Sequence, residues 1–489
     1  MLPPKKKSLP LALAACVAAS SANADRPAPL AAANPPADGT TFVVTNCGDA
    51  GAGSLRDAVA AAPDGGTIDL AELACSTITL ASGAIAIGQD ELTIRGPGAA
   101  ALTVDGNFAG RALQHGGSGT LHVEALGFAH GEAESGGCIA SSGNLELDHV
   151  DLDGCSARSD ANGAIVRGGG ASADGNLALR DSRVHGCSAY ALNGAARGGG
   201  LYAHGTLEIT RSRVDGNDAV TMAPTGTLLP GGAYYAAALG GGANSYLSMT
   251  LGTSTISGNR ARAPNNQGGD QANGGGLYVT YGSATIRDST IDGNHADHIG
   301  GGAKFKHFGG SLTRITNSTI SGNDAGVGGG GLHTQPWLTL VSSTVAFNRV
   351  SGTGIAGVQF GFDHRGTLRS SIVANNTAAN GESDISVGSL SHIYGDHNLI
   401  RDGAEKLPDT ITADPLLGPL RDNGGPTRTH ALLSRSPAID AGSNSAGLAN
   451  DQRGSDHARV LGALADIGAF ELDPADAIFS SGFDGGPAD

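Results

Sequence analysis

The sequence predicts an all-β fold, a parallel β-solenoid built as a single stack of coils with three short strands each. Three observations carry the prediction. Glycine is abundant, 79 of 489 residues, while aromatic residues make up only 4%. A short Ser-Thr-Ile-x-Gly-Asn unit recurs along the chain at a nearly constant interval. Between its copies lie runs that alternate apolar and polar residues, the period of a strand. Helices could not carry this much glycine, because each interior one costs about 1 kcal/mol against alanine. Collagen would need glycine at every third residue, which is absent. With 39% apolar residues in regular bursts, the composition is not that of a disordered chain.

The first 24 residues read as an export signal. Lys5, Lys6 and Lys7 precede an apolar stretch, and Ala22-Asn23-Ala24 offers a small-x-small cleavage site. The expectation is an exported protein, secreted or at the surface of a Gram-negative cell. Leu13-Ala14-Ala15-Cys16 resembles a bacterial lipobox, so anchoring through a lipid on Cys16 is the alternative. No later segment reaches the 18 or more apolar residues of a membrane helix. Residues 25–40 form a linker, 41–100 a cap with the first coils, 101–400 the main coils, 401–472 a closing module and 473–489 a tail. The net charge of −16 disfavours nucleic-acid and anionic-membrane partners, which require clustered Lys and Arg.

Within the coils, the repeat occupies 254–259, 289–294 and 318–323, and more loosely 212–217, 343–348 and 371–376. Two earlier copies, 150–155 and 182–187, carry Cys in place of the final Asn. The copies end 32, 30, 42, 35, 29, 25 and 28 residues apart. A glycine run begins each coil, at Gly136, Gly168, Gly198, Gly240, Gly274, Gly300 and Gly329. Runs such as Thr206-Leu207-Glu208-Ile209-Thr210 lie between the two units. Gly-Asn corners accept left-handed backbone at low cost.

Stacking at about 4.8 Å puts equivalent side chains above one another. Asn217, Asn259, Asn294, Asn323, Asn348 and Asn376 should therefore form one hydrogen-bonded column. Ile256, Ile291 and Ile320 should stack inside, as should Leu201, Leu277 and Leu332. Cys155 and Cys187 share a column in adjacent coils, within the roughly 4.4–6.8 Å Cα range of a disulfide. They are one candidate bridge, and Cys47–Cys75 is a second at the N-terminal end, leaving Cys138 alone. The competing reading makes all of them small buried residues. The cysteine spacings fit no zinc site.

With these residues in view, the chain resembles bacterial right-handed parallel β-helix proteins of the pectin-lyase-like fold, with repeats like those of polymorphic outer-membrane proteins. Gly53-Ser54-Leu55-Arg56-Asp57-Ala58 looks like the opening cap of such proteins. Asp422-Asn423-Gly424-Gly425-Pro426-Thr427, Asp451-Gln452-Arg453-Gly454 and Asp466-Ile467-Gly468-Ala469-Phe470-Glu471 are similar to the C-terminal choice-of-anchor module appended to them. The tail 478–484 weakly resembles a short sorting tag, from which Ser481 and Asp484 depart; the competing reading is a loose tail.

The resemblance implies a fold that hosts polysaccharide lyases and hydrolases, but neither local signature is present. There is no Asn-Thr-Asp followed by Gly-Asp-Asp, and no Arg-x-Pro-x-x-Arg. Asp153, Asp215 and Asp292 share a column broken by His185, Ser257, Ser321 and Ala346, and read as turn formers bonded to nearby backbone. Five adjacent Asp-His pairs, at 148–149, 297–298, 363–364, 396–397 and 456–457, should point to opposite strand faces and so not act together. No catalytic residue and no metal ligand is assigned. The acidity would suit Ca²⁺, yet its Gly-rich calcium repeat is absent.

A ligand surface is expected on one outward column, Ala140, Ser172, Tyr202, Asn244, Tyr278, Lys304 and His333, with Lys306 and Trp337 beside it. Aromatic faces beside hydrogen-bonding groups suit sugar rings or a partner's surface. The bland reading is an ordinary solvent face. Corner loops 156–167, 188–197, 218–239 and 260–273 are expected to protrude and carry contacts such as Tyr234 and Tyr235. The expected function is non-catalytic adhesion or binding of a polysaccharide or cell-surface partner by a monomer. A diverged lyase or hydrolase and a passive anchoring element are the alternatives.

Overall fold

The computed structural model describes residues 40–473, apart from 225, 229–235, 266–270, 307–309, 336, 362–364, 387–391 and 404–406. The signal segment with Cys16, the linker up to 39, Tyr234, Tyr235, the 363–364 pair and the tail from 474 onward lie outside the described residues.

Alternation makes the strands. In Leu207–Thr210, Leu207 and Ile209 turn into the core while Glu208 and Thr210 face out. Each such strand pairs in parallel with its counterpart one coil on, as Ile209 does with Leu251 and then Leu251 with Ile286. Repetition builds four sheets, parallel but for one antiparallel pair at the end of sheet 4. Sheet 1 has 10 strands and contains Leu201–Ala203; sheet 2 has 13 and contains Leu207–Thr210. Sheet 3 has 13 and contains Arg213–Asp215; sheet 4 has 12 and contains Asp218–Thr221. The chain is a right-handed parallel β-helix, the hand that parallel crossovers take. A continuous apolar core of Ile, Leu and Val fills it.

The middle coils carry four strands rather than three. Segments expected to protrude as loops are instead Ser156–Arg167 and Ser188–Arg197, the longest strands, paired with each other along sheet 4. Ala157, Ala189, Ala219 and Ala261 stack there into a second, small-residue core. The far arms of these strands, with Ala238–Leu239 and Ala272–Asn273, return over the outer face of sheet 1.

At the N-terminal end, Leu55–Ala61 is a helix whose N-cap Ser54 accepts from the Asp57 amide, burying Leu55, Ala58 and Val59. At the other end, the chain turns back and lies along sheet 3. Leu432, Ala438, Ile467 and Phe470 pack with Ile372, Ala374 and Leu399. Polar contacts extend the seam: Gln452 Nε2 donates to Thr290 Oγ1 at 2.9 Å, Thr319 Oγ1 donates to Gln452 Oε1 at 2.6 Å, and Arg428 pairs with Asp292. Sheet 3 therefore presents Asp151, Arg183 and Arg213 where it is open, and Thr290, Thr319 and Thr344 where it is covered.

The corner after sheet 3 holds the asparagine column. Each Nδ2 donates to the next Oδ1 from Asn217 to Asn376, at 2.8–2.9 Å. The column ends on Asp384, whose Oδ1 accepts from Asn376 Nδ2 at 2.8 Å. A parallel run of serines, Ser182 to Ser371, accepts the backbone amide of the preceding coil at each step.

Two disulfides are present, Cys47–Cys75 and Cys138–Cys155, and Cys187 is free and buried. The Cys155–Cys187 candidate is corrected. Stacked residues have parallel Cβ vectors, so their Cβ atoms stay about 4.8 Å apart, beyond the roughly 3.5–4.5 Å a bridge requires. Cys138 instead faces Cys155 across one coil, with Cα atoms 5.5 Å apart.

Candidate functional site

The expected ligand column exists as a register: Ser172, Tyr202, Asn244, Tyr278, Lys304 and His333 pair in succession on sheet 1. It is not a solvent face. Tyr202, Asn244 and Tyr278 are 2%, 1% and 3% exposed, because the returning arms of sheet 4 cover them. Arg167 from those arms lies 5.4 Å from the Tyr202 ring, and Lys304 Nζ donates to Asn273 Oδ1 at 2.9 Å. Lys306 is half-buried just beyond sheet 1. Trp337 is separate from the column, on sheet 2, and 48% exposed.

Two open surfaces lie on sheets 2 and 3. The first is a groove of about 760 Å³ along the corner of sheets 2 and 3, ending at Pro426 of the closing module. His149, Asp181, Arg211 and Thr253 make this corner, each with φ between 46° and 53°. The strand rule for adjacent residues fails here. His149 sits in left-handed backbone rather than in a strand, and its Nδ1 reaches Asp148 Oδ1; His397, at φ 52°, similarly lies 3.1 Å from Asp396.

The acids near this corner are ion-paired, not backbone-bonded turn formers. Asp215 meets Arg183 at 3.0 Å and Arg213 at 2.9 Å. Burial would raise the Asp215 pKa, but the two guanidiniums outweigh it and hold the carboxyl low. Arg211 grips both oxygens of Asp181 and lowers its pKa too. His185 stands 3.4 Å from Asp151 and 3.3 Å from Asp153. One Asp151 oxygen is buried without a hydrogen bond, and burial pushes its pKa up against the pull of His185 and Arg183. Asp292, farther along, is held by Arg428. Asp148, His149 and Asp181 cluster closely enough to share a cation, but Arg211 already neutralises Asp181.

The second surface is the outer face of sheet 2, which changes character along the stack. In its first half, charges are matched: Arg95 with Glu124 at 2.9 Å, His122 between Glu91 and Glu146, Arg180 between Glu146 and Glu208. In its second half, alternation turns out Arg287, Arg314, Arg365 and Arg369, with threonines between them. None of the four forms a close ion pair with a carboxylate among the described residues, although Asp288 follows Arg287 and Asp396 stands opposite Arg369 in the register. Arg365 lies 5.1 Å from the Trp337 ring, and Tyr394 beside it is 57% exposed. These arginines carried a readable signal, alternate positions in the run before the Ser-Thr-Ile unit, which the overall acidity obscured.

No known family profile matches the chain, and no curated protein matches it. Among solved structures, it aligns with one described as pectate lyase Pel9A at 11% identity and a TM-score of 0.39. The alignment covers 86% of this chain and 91% of that one. A likeness at that level says nothing of activity, and the β-helix rests on the sheet registers above.

Proposed function

We propose that this is an exported, non-catalytic β-helix protein that binds an anionic polysaccharide lengthwise on the second half of sheet 2. The observation that supports the reading is the set of four arginines, 287, 314, 365 and 369, none in a close ion pair among the described residues, in a chain of net charge −16. Guanidinium forks match carboxylate and sulfate oxygens, and Trp337 and Tyr394 add aromatic surface for sugar rings. Export rests on residues 1–24, and a lipid on Cys16 is the alternative state.

A diverged hydrolase is the second reading, favoured by Asp151, an acid of raised pKa beside His185 in an open groove. One experiment separates the two. The mature protein is offered acidic and neutral polysaccharides with and without Ca²⁺, and both retention and shortened products are scored. Retention of acidic chains only, lost in Arg314→Gln/Arg365→Gln, is the expected result. Shortened products that vanish in Asp151→Asn would overturn the non-catalytic reading. Equal retention of neutral chains would sink the role of the arginines.

A further inference from the structure

The covered column on sheet 1 is chemically unlike a core. Between Tyr202 and Tyr278 the stack carries Asn244, and both its amide nitrogen and its oxygen are buried with no hydrogen-bond partner among the described residues. Buried amides are nearly always satisfied, so this one marks a place where something polar belongs. The two tyrosines are two coils, roughly 9–10 Å, apart. Asparagine is shorter than either tyrosine, so by side-chain length the step between the two rings is a slot in the stack.

The roof over this slot is cationic. Arg167 and Arg197 are successive residues in the register of the returning arms. Each is half-buried, each has an Nε without a partner, and neither meets a carboxylate among the described residues. Arg167 reaches the Tyr202 ring, one coil ahead of its own, and Arg197 acts electrostatically on the Tyr278 phenol. Arg167 thus sits over the column at Tyr202, and Arg197 follows it one coil on in the same register.

We propose that this slot, at Tyr202, Asn244 and Tyr278 beneath Arg167 and Arg197, binds a hydroxylated ring bearing one oxyanion, a carboxylate or a sulfate. Arginine forks take the oxyanion in paired hydrogen bonds. The asparagine offers its NH2 as donor and its carbonyl oxygen as acceptor to ring hydroxyls, and the tyrosine faces flank the ring. The site is on a different sheet from the polysaccharide surface and stands or falls separately.

Calorimetric titration of the mature protein with glucuronate, glucose 6-sulfate, inorganic sulfate and glucose tests it. The expected result is saturable one-to-one binding of glucuronate or glucose 6-sulfate, with glucose at least tenfold weaker. Arg197→Gln and Asn244→Leu should each weaken binding at least tenfold, while Arg95→Gln, at an arginine already paired with Glu124, leaves it unchanged. A tyrosine ultraviolet difference spectrum should titrate in parallel. Should Asn244→Leu not fold, Asn244→Asp keeps the shape and sets a negative charge against the oxyanion. Absence of saturable binding, glucose binding as tightly, or unchanged affinity in Arg197→Gln overturns the proposal. Inorganic sulfate binding as tightly as glucose 6-sulfate overturns the ring.

Discussion

Cys138 is bridged to Cys155 at the point of the coil where, in later coils, a glycine touches an asparagine. A Cβ on Gly242 would stand 2.9 Å from Asn259 Cγ, and one on Gly276 3.0 Å from Asn294 Cγ. Both arrangements tie the start of sheet 1 to the ladder corner. The bridge replaces a close backbone approach with a covalent bond, which accounts for Gly-Gly-Cys in the coil that has Cys at its corner.

Peptide mapping without reduction should accordingly link Cys138 to Cys155. Cys187, whose thiol is pushed up to about 12 by burial, should alkylate only after unfolding. Replacing both bridged cysteines by serine releases the loop closed across a 17-residue separation and should cost about 3 kcal/mol in chemical denaturation. A linked 155–187 peptide would refute the assignment.

Gly276→Ala tests the other arrangement. The new methyl would lie 2.5 Å from the Gly302 carbonyl oxygen as well as against Asn294, and backbone on one side cannot yield. A loss of about 1–3 kcal/mol is expected, the usual cost of overpacking. Unchanged stability in urea would show that the coils can separate locally.

What was readable followed from periodicity. The asparagine column and the inward Ile256, Ile291 and Ile320 share fixed offsets from one repeat, so stacking alone places them. The cysteine pairing needed side-chain direction, which a column does not supply. The roof over Tyr202 was hidden because Ser188–Arg197 packs through alanines, which give no apolar alternation strong enough to mark a strand. Arginine in the two Ser-Arg-Val copies marks sheet 3 where it is open and threonine at 290, 319 and 344 where the closing module covers it, while Thr255 still lines the groove. Sequence spacing could not show that the module folds back.

The ladder has a direction, since each amide nitrogen donates toward the C-terminal end. Asn294→Asp can still accept from Asn259 but sets its second oxygen against Asn323 Oδ1, with no proton between them. The substitution should cost at least about 2 kcal/mol by thermal unfolding at pH 8. An aspartate is compatible with this column only at its end, where Asp384 sits. A cost equal to that of Asn294→Ala at pH 8 would argue against directional pairing.

Gln452 joins the closing module to sheet 3 through hydroxyls on two strands, with no exposed surface. Gln452→Leu strands the Thr319 hydroxyl and removes the donor to Thr290. Faster amide exchange at Thr427 to His430 is expected, with a loss of about 1–3 kcal/mol. Exchange that stays slow there would mean that the apolar contacts of Ile467 and Phe470 hold the module alone.

Asp384 makes the end of the ladder sensitive to pH. It is fully buried, and burial raises its pKa to about 6 despite hydrogen bonds from Asn376 and the Asp402 amide. A folded pKa above the unfolded value means that the native state holds the proton longer. Its contribution is therefore present at pH 4 and lost as pH rises toward 6, and it changes little above that. Glu471, raised to about 7 chiefly by burial, adds the same sign of slope up to neutrality. Asp384→Asn keeps an oxygen for Asn376 and removes the buried charge but loses the acceptor for the Asp402 amide, so any gain at pH 8 should stay below about 3 kcal/mol. At pH 4 the parent is neutral too, and the variant should unfold before it by the cost of that lost hydrogen bond. Melting temperatures of both proteins across pH 4–8 decide the matter: an equal gap at both ends would remove Asp384 as the source.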